Sequence, residues 1–394
     1  RALRVAAPLR NRGAARASTA ASIAIARGAR ASSATSSMSA DDAPTSTTRR
    51  TTRRFVDIGA NLTDAMFAGE YHGKRYHDAD LPAVLRRAWN VGVEKIVVTA
   101  GTLEDATTAL DLAEAHDGDE SSDEGAASSA SASASSARLN QGRRRRRLYT
   151  TVGVHPTRCG AFEASGDAEA HLASLAAIAS ANSRERGGRV VAIGECGLDY
   201  DRLQFCDAET QRVWFRRQFE LAKSTRLPMF LHMRAAADDF IEILAEAVAE
   251  GTFTTGVVHS FDGSVDDLKK LLAIDGVFIG VNGCSLRAAE SLATLRELPV
   301  DRVMLETDAP WCGIKRSHAG YEHVRTTWTA KDKKKIDEFD ETTTVKDRCE
   351  PCHVVQVLEV LSRAMGVDED VLADACHANA MKVFFPDEET VGGS

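Results

Sequence analysis

Six acidic or imidazole side chains share one setting in this sequence. Asp57, His155, Glu195, His232, His259 and Asp308 each stand in or just after a short apolar, β-branched run. Such runs read as buried parallel strands, so each of these groups is expected at a strand's C-terminal end. Imidazole and carboxylate donors from separate strands suit Zn, Mn or Mg, and a mixed nitrogen and oxygen set does not choose among them. One carboxylate shared by two ions about 3.5–4 Å apart would make a two-metal site able to act on phosphodiesters. Glu195 is the candidate for that bridge. It leaves a central run, Val190–Ile193, between Gly194 and Gly197, which let the backbone turn sharply there. A single histidine at a strand end usually has a packing role. Three histidines and three carboxylates on one rim point instead to cations.

These side chains meet only if their strands converge. Apolar periodicity predicts strands at 55–59, 95–99, 148–155, 190–199, 228–232, 256–259, 277–281 and 303–308. Helical periodicity falls between them, at 81–91, up to about 116, at 167–182 and at 208–224, and again at 352–365 and 368–382. Eight β-then-α units without a Gly-rich dinucleotide fingerprint predict an α/β fold, the (β/α)8 TIM barrel, rather than an open doubly wound sheet. In that barrel the strand C-termini share one face. Asn61 lies just beyond the first strand. Arg234 follows His232, and its planar fork suits either a phosphate or a salt bridge between neighbouring loops.

The chain has 394 residues, 43% hydrophobic and 27% charged, enough for a large core. Its net charge of −8 argues against binding nucleic acid through a generally basic surface. An acidic site whose metal ions meet phosphates remains open. No stretch approaches the roughly 20 apolar residues of a membrane span. Eight scattered cysteines suit reduced thiols, and the lone pair Cys349-x-x-Cys352 reads as incidental spacing. Residues 1–53 stand apart, because their first forty hold seven arginines and no acid. That is the composition of an organellar transit peptide, although Met38 offers another translation start; disorder is expected either way. Residues 117–147 pass from an acidic patch through an Ala/Ser tract to five arginines at 143–147. They are expected to form a disordered insertion, the arginines serving as a nucleic-acid contact, a nuclear import signal or a solvated charge block. The barrel domain then spans 54–386, with 387–394 as a tail.

The motifs Asp57-Ile58-Gly59-Ala60-Asn61-Leu62-Thr63, Gly153-Val154-His155-Pro156 and Gly194-Glu195-Cys196-Gly197-Leu198-Asp199 carry a family resemblance. So do Phe230-Leu231-His232-Met233-Arg234, Val258-His259-Ser260-Phe261 and Glu306-Thr307-Asp308-Ala309-Pro310. Together they resemble the TatD family of metal-dependent deoxyribonucleases, in its eukaryotic branch. The resemblance implies a metallo-dependent hydrolase that cuts DNA, as a 3′–5′ exonuclease on single strands. It implies two divalent cations per subunit, Mg foremost with Mn or Zn as alternatives. Glu195 would bridge them, with His232 and His259 on one ion and Asp308 on the other. Asp57 would be a further ligand, standing where the wider superfamily carries a His-x-His pair. Asp308 would orient the attacking water or take its proton, and His155 would position the phosphate or shuttle a proton. Asn61 and Arg234 are expected on the substrate side. The expected partner is DNA, as single strands or 3′ ends, with no membrane and a monomeric chain. A nuclear or cytoplasmic location is expected, or a mitochondrion or chloroplast if the leader is a transit peptide. Three features depart from the family: Met233 replaces a common cysteine, the insertion is extra, and Cys349 replaces asparagine in an Arg-Asn-Glu-Pro motif. The same residues would also suit a D-aminoacyl-tRNA deacylase or another ester or amide hydrolase. A non-catalytic nucleic-acid binder would not need them.

Overall fold

The computed structural model describes residues 53–117, 146–336 and 342–391. Residues 1–52 of the expected leader, 118–145 of the expected insertion and 392–394 of the expected tail lie outside the described residues.

Eight apolar runs form parallel strands. They are β1 (Phe55–Ala60), β2 (Val93–Val98), β3 (Leu148–Val152) and β4 (Val190–Asp199), then β5 (Met229–Arg234), β6 (Gly256–His259), β7 (Val277–Val281) and β8 (Val303–Leu305). Their spatial order follows chain order from β1 to β8. Helices between strands cover the outer face, which is why the strands are buried on both sides. Several of these helices begin at a side-chain cap: Thr102 for Leu103–His116, Asp207 for Ala208–Thr225, and a reciprocal Ser264–Asp267 box for Val265–Leu272.

One buried cluster draws residues from every strand: Val56, Val97, Tyr149, Val191, Phe230, Val257, Phe278 and Met304. It is the barrel's filled interior, and Phe384 and Phe385 of the C-terminal segment pack onto it. A larger cluster lies between strands and helices. A buried ionic group ties the first helix, Leu81–Asn90, to the C-terminal part of the chain. In it Arg348 meets Asp80 at 2.5 Å and Glu350 at 2.9 Å, while Arg87 meets Glu350 at 2.7 Å. Cys349 lies buried between two of these residues with its thiol 3.8 Å from the Thr307 carbonyl oxygen.

The barrel is nearly closed. Where β1 and β8 meet, Asp308 N–H donates to Gly59 O at 2.8 Å and Asn61 N–H to Ala309 O at 2.6 Å. Below these bonds the Asp57 carboxylate accepts from the Thr307 amide at 2.9 Å and the Thr307 hydroxyl at 2.6 Å. Asp57 is therefore inside β1, not at its end, and both its oxygens are engaged by Thr307. Other expected strand ends also move. β3 stops at Val152 and His155 caps a short turn that starts at Pro156, whose ring nitrogen has no proton for a ladder. β8 stops at Leu305, which leaves Asp308 in the following loop. β4 keeps the expected range 190–199, and Glu195 stands in its middle, because Cys196–Asp199 pair with Leu231–Arg234 of β5.

Candidate active site

The structure brings four of the candidate residues to one atom. Glu195 Oε1 lies 2.8 Å from His232 Nδ1, 2.9 Å from His259 Nε2 and 3.4 Å from His155 Nε2. The two nearer imidazole nitrogens are themselves 3.1 Å apart. Neighbouring donors around a cation with ligand bonds of about 2.0–2.2 Å are separated by roughly 3 Å, so this spacing fits one coordination sphere. Among the described residues, His155, Glu195 and His232 form a group that could hold a metal ion.

The far nitrogens of the two inner histidines face carboxylates. His232 Nε2 is 3.5 Å from Asp199 Oδ2, and His259 Nδ1 is 3.6 Å from Glu306 Oε2. Such pairs fix an imidazole's tautomer and aim its other nitrogen. Glu306 is held in turn by the Ser260 amide at 2.6 Å and the Asn282 side-chain amide at 3.0 Å. Glu306 Oε2, Asp199 Oδ2 and His232 Nε2 are buried without a completed hydrogen bond. His155 is set differently. Its Nδ1 accepts from the Thr157 amide at 3.2 Å, so Nε2 carries the proton that faces Glu195.

The electrostatics favour positive charge at the centre. Burial pushes the Glu195 carboxyl up, but His259 and His155 outweigh it and hold the group well below the usual carboxylate range. Burial pushes the His259 imidazole down, yet Glu195 and Glu306 raise it well above its usual value. His232 is raised against its burial by Asp199 and Glu195. His155 is lowered by burial despite Glu195. Carboxylates that stabilise imidazolium in this way would also stabilise a divalent cation.

Asp308 faces the same centre without touching Glu195 in the described contacts. Its Oδ1 accepts from the Asn61 side-chain amide at 2.7 Å, and the Cys312 thiol donates to Oδ2 at 3.2 Å. Asn61 Oδ1 accepts in turn from the Thr99 hydroxyl at 2.7 Å. Burial pushes the Asp308 carboxyl up to about 6, partly offset by His259 and reinforced by Glu195 and Glu306. Asp308 also holds a left-handed backbone, φ 52°, a conformation that costs about 1–3 kcal/mol outside glycine and is often found at functional sites. Arg234 reaches Asp201 at 2.6 Å on the rim of a cavity of about 490 Å³ also lined by Asp262 and Ser264. It is thus engaged in the salt bridge between loops. Asp57 does not join the group.

Sequence reasoning did not single out Glu306, Asn282 or Asp199 as site residues. Glu306 had a signal, since it stands two residues before Asp308 and alternate residues of an extended chain share a face. Asp199 is the last, fully buried residue of β4. Asn282 follows β7, the strand after which no acid or histidine appears, and nothing in its neighbours marks it.

Residues 56–385 match the model of the TatD related DNase family. The chain is 36% identical over 331 residues to "Deoxyribonuclease Tat-D" of Schizosaccharomyces pombe, covering 84% of this chain and 95% of that one. It is 31% identical to "3'-5' ssDNA/RNA exonuclease TatD" of Erwinia tasmaniensis, covering 83% of this chain and 98% of the relative. Among solved structures, an uncharacterized amidohydrolase from Saccharomyces cerevisiae superposes with a TM-score of 0.72 at 32% identity, over 84% of this chain and 100% of that chain. A TatD family hydrolase from Entamoeba histolytica gives 0.71 at 32% identity, over 85% and 99%. The family implies divalent metals, which the donor set around Glu195 suits. With the barrel, the site and these relatives together, the chain belongs to the TatD related DNase family of hydrolases.

Proposed function

We propose that this protein is a metal-dependent deoxyribonuclease that hydrolyses phosphodiester bonds of single-stranded DNA from the 3′ end. The observation that carries the reading is the convergence of three imidazole nitrogens on one oxygen of Glu195, within 3.4 Å. Glu195, His232, His259 and Asp308 would hold two divalent ions, Mg foremost. Those ions supply Lewis acidity toward a phosphate oxygen and lower the pKa of water at the site.

The chain's own residues do the rest. Asp199 and Glu306 keep the His232 and His259 rings aimed inward through the carboxylate contacts described above. Asp308 would orient the attacking water or take its proton. Asn61 orients that carboxylate by donating to Oδ1. His155, with Nε2 3.4 Å from Glu195, would position the phosphate or shuttle a proton. The same constellation could serve another hydrolysable ester, but the names of the relatives speak of nucleic acid.

The test uses 3′- and 5′-labelled single-stranded DNA with Mg, Mn or Zn, and EDTA as the blank. Glu195→Gln is expected to remain folded and to lose EDTA-sensitive cleavage. Wild-type rates in that variant would overturn the assignment. Turnover of a D-aminoacyl-tRNA with DNA left intact would move the protein to a deacylase.

A further inference from the structure

The loop after β8 carries groups that the candidate metal centre does not use. Trp311 is 49% exposed, and it and Phe205 are the two large aromatic side chains so exposed among the described residues. Its amide donates to Asp308 O at 2.9 Å, a turn that keeps the two α-carbons within about 7 Å. The loop then folds back onto the segment after β7, where Ala319 N–H donates to Arg287 O at 2.9 Å and Gly320 N–H to Leu286 O at 3.3 Å. That fold brings Arg287 and Lys315 close enough to lower the His318 imidazole, after burial has already lowered it. Arg287, Lys315 and Arg316 are exposed. None of these three takes part in an ion pair among the described residues, in contrast to Arg234, which is held by Asp201.

A single exposed tryptophan is unremarkable on a protein surface. An exposed indole one turn from Asp308, in a loop with unpaired cations, in a chain of net charge −8, is a different matter. Cations left unpaired on an acidic protein suit an anionic partner, and an exposed indole suits a flat apolar face. Unpaired nucleotides offer both at once. In a duplex the base faces are already covered, so the pairing of features selects for a single strand.

We infer that Trp311, Arg287, Lys315 and Arg316 form a subsite for an unpaired strand, a base stacking on the indole and its phosphates lying along the cations. This inference rests on the nuclease reading above and adds where the strand lies beside the site.

The test is the full-length, metal-loaded protein with a short oligo(dT) and with an abasic strand of the same length. Trp311→Ala is expected to raise KM for oligo(dT) roughly 5- to 140-fold, the range of base–aromatic stacking. Trp311→Phe, which keeps an aromatic face, is expected to stay within about 3-fold of wild type. On the abasic strand, wild type and Trp311→Ala should have the same KM. The double variant Lys315→Ala/Arg316→Ala should lower the slope of log affinity against log salt by about 0.7 per lost phosphate contact. Wild-type cleavage of oligo(dT) with an unaltered KM in Trp311→Ala overturns the subsite alone. Wild-type protein inert toward both strands overturns the nuclease reading and the subsite with it.

Discussion

Asp57 shows how residue type and residue role can part. As an acid in a TatD-like motif it invites assignment to a metal, yet its oxygens accept the Thr307 amide and hydroxyl where β1 and β8 lack a ladder. Burial pushes its carboxyl up to about 8 against the lowering effect of Thr307. The folded-state value therefore lies above the unfolded value near 3.9, and the folded protein holds an extra proton between the two. Asp57 thus contributes stability that is fully present below about pH 4 and is lost as pH rises through about 8. Its contribution to the slope approaches 1.4 kcal/mol per pH unit in that window. Asp57→Asn, which mimics the protonated group, is expected to flatten the decline and to leave divalent-ion affinity close to wild type. Thermal unfolding at pH 5, 6, 7 and 8 with a metal titration checks both parts. Parallel pH curves remove the titration claim, and lost metal affinity returns Asp57 to the ligand set.

At the scale of elements, Glu195 of β4 meets imidazoles of β5 and β6, and the pairing of β4 with β5 leaves no room for a side chain at one position. Gly197 occupies that position. Its φ is +149°, and a Cβ there would sit 1.9 Å from the carbonyl oxygen of His232. Gly197→Ala should therefore displace the His232 backbone and cost about 3 kcal/mol or more, from backbone strain and overpacking together. Urea denaturation should show the loss, and a weaker divalent-ion affinity should accompany it because His232 moves. Wild-type stability in that variant would mean that the strands can part without consequence. The same pairing explains why Glu195 stands in the middle of a strand: β4 continues to Asp199, whose carboxylate then reaches the far side of the His232 ring.

For the whole molecule, the proposed ligands come from strands and a loop spread between residues 195 and 308, so an ion bound there would tie distant parts of the barrel together. Ions that bind the folded chain and not the unfolded one stabilise it by mass action, by about 2.7 kcal/mol at one hundred times Kd. Adding Mn or Mg to EDTA-treated protein is expected to raise Tm by about 5 °C. Glu195→Ala should abolish the rise. Differential scanning fluorimetry reads it directly, and a wild-type Tm indifferent to both ions would count against the metal centre. No helix among the described residues is long and apolar enough to cross a membrane.

The barrel was legible in the sequence because its strands are buried on both faces, which makes each an uninterrupted apolar run with a polar residue nearby. The order of those runs, with helices between them, determines a parallel closed sheet, and the motifs at Glu195, His232, His259 and Asp308 name the family. Local pattern ends there. A strand's end depends on its partner: β3 stops at Val152 and β8 at Leu305, short of the apolar runs that suggested 155 and 308. Glu306 and Asn282 acquire their role only when β6, β7 and β8 lie side by side, since each contact that defines it spans more than twenty residues. Tertiary structure also supplied the contacts of Asp57 with Thr307 and of Arg234 with Asp201. Sequence shows that an acid and a guanidinium are present near the site, while the choice between a cation, a substrate and a neighbouring Thr307 or Asp201 depends on which group lies within about 3 Å.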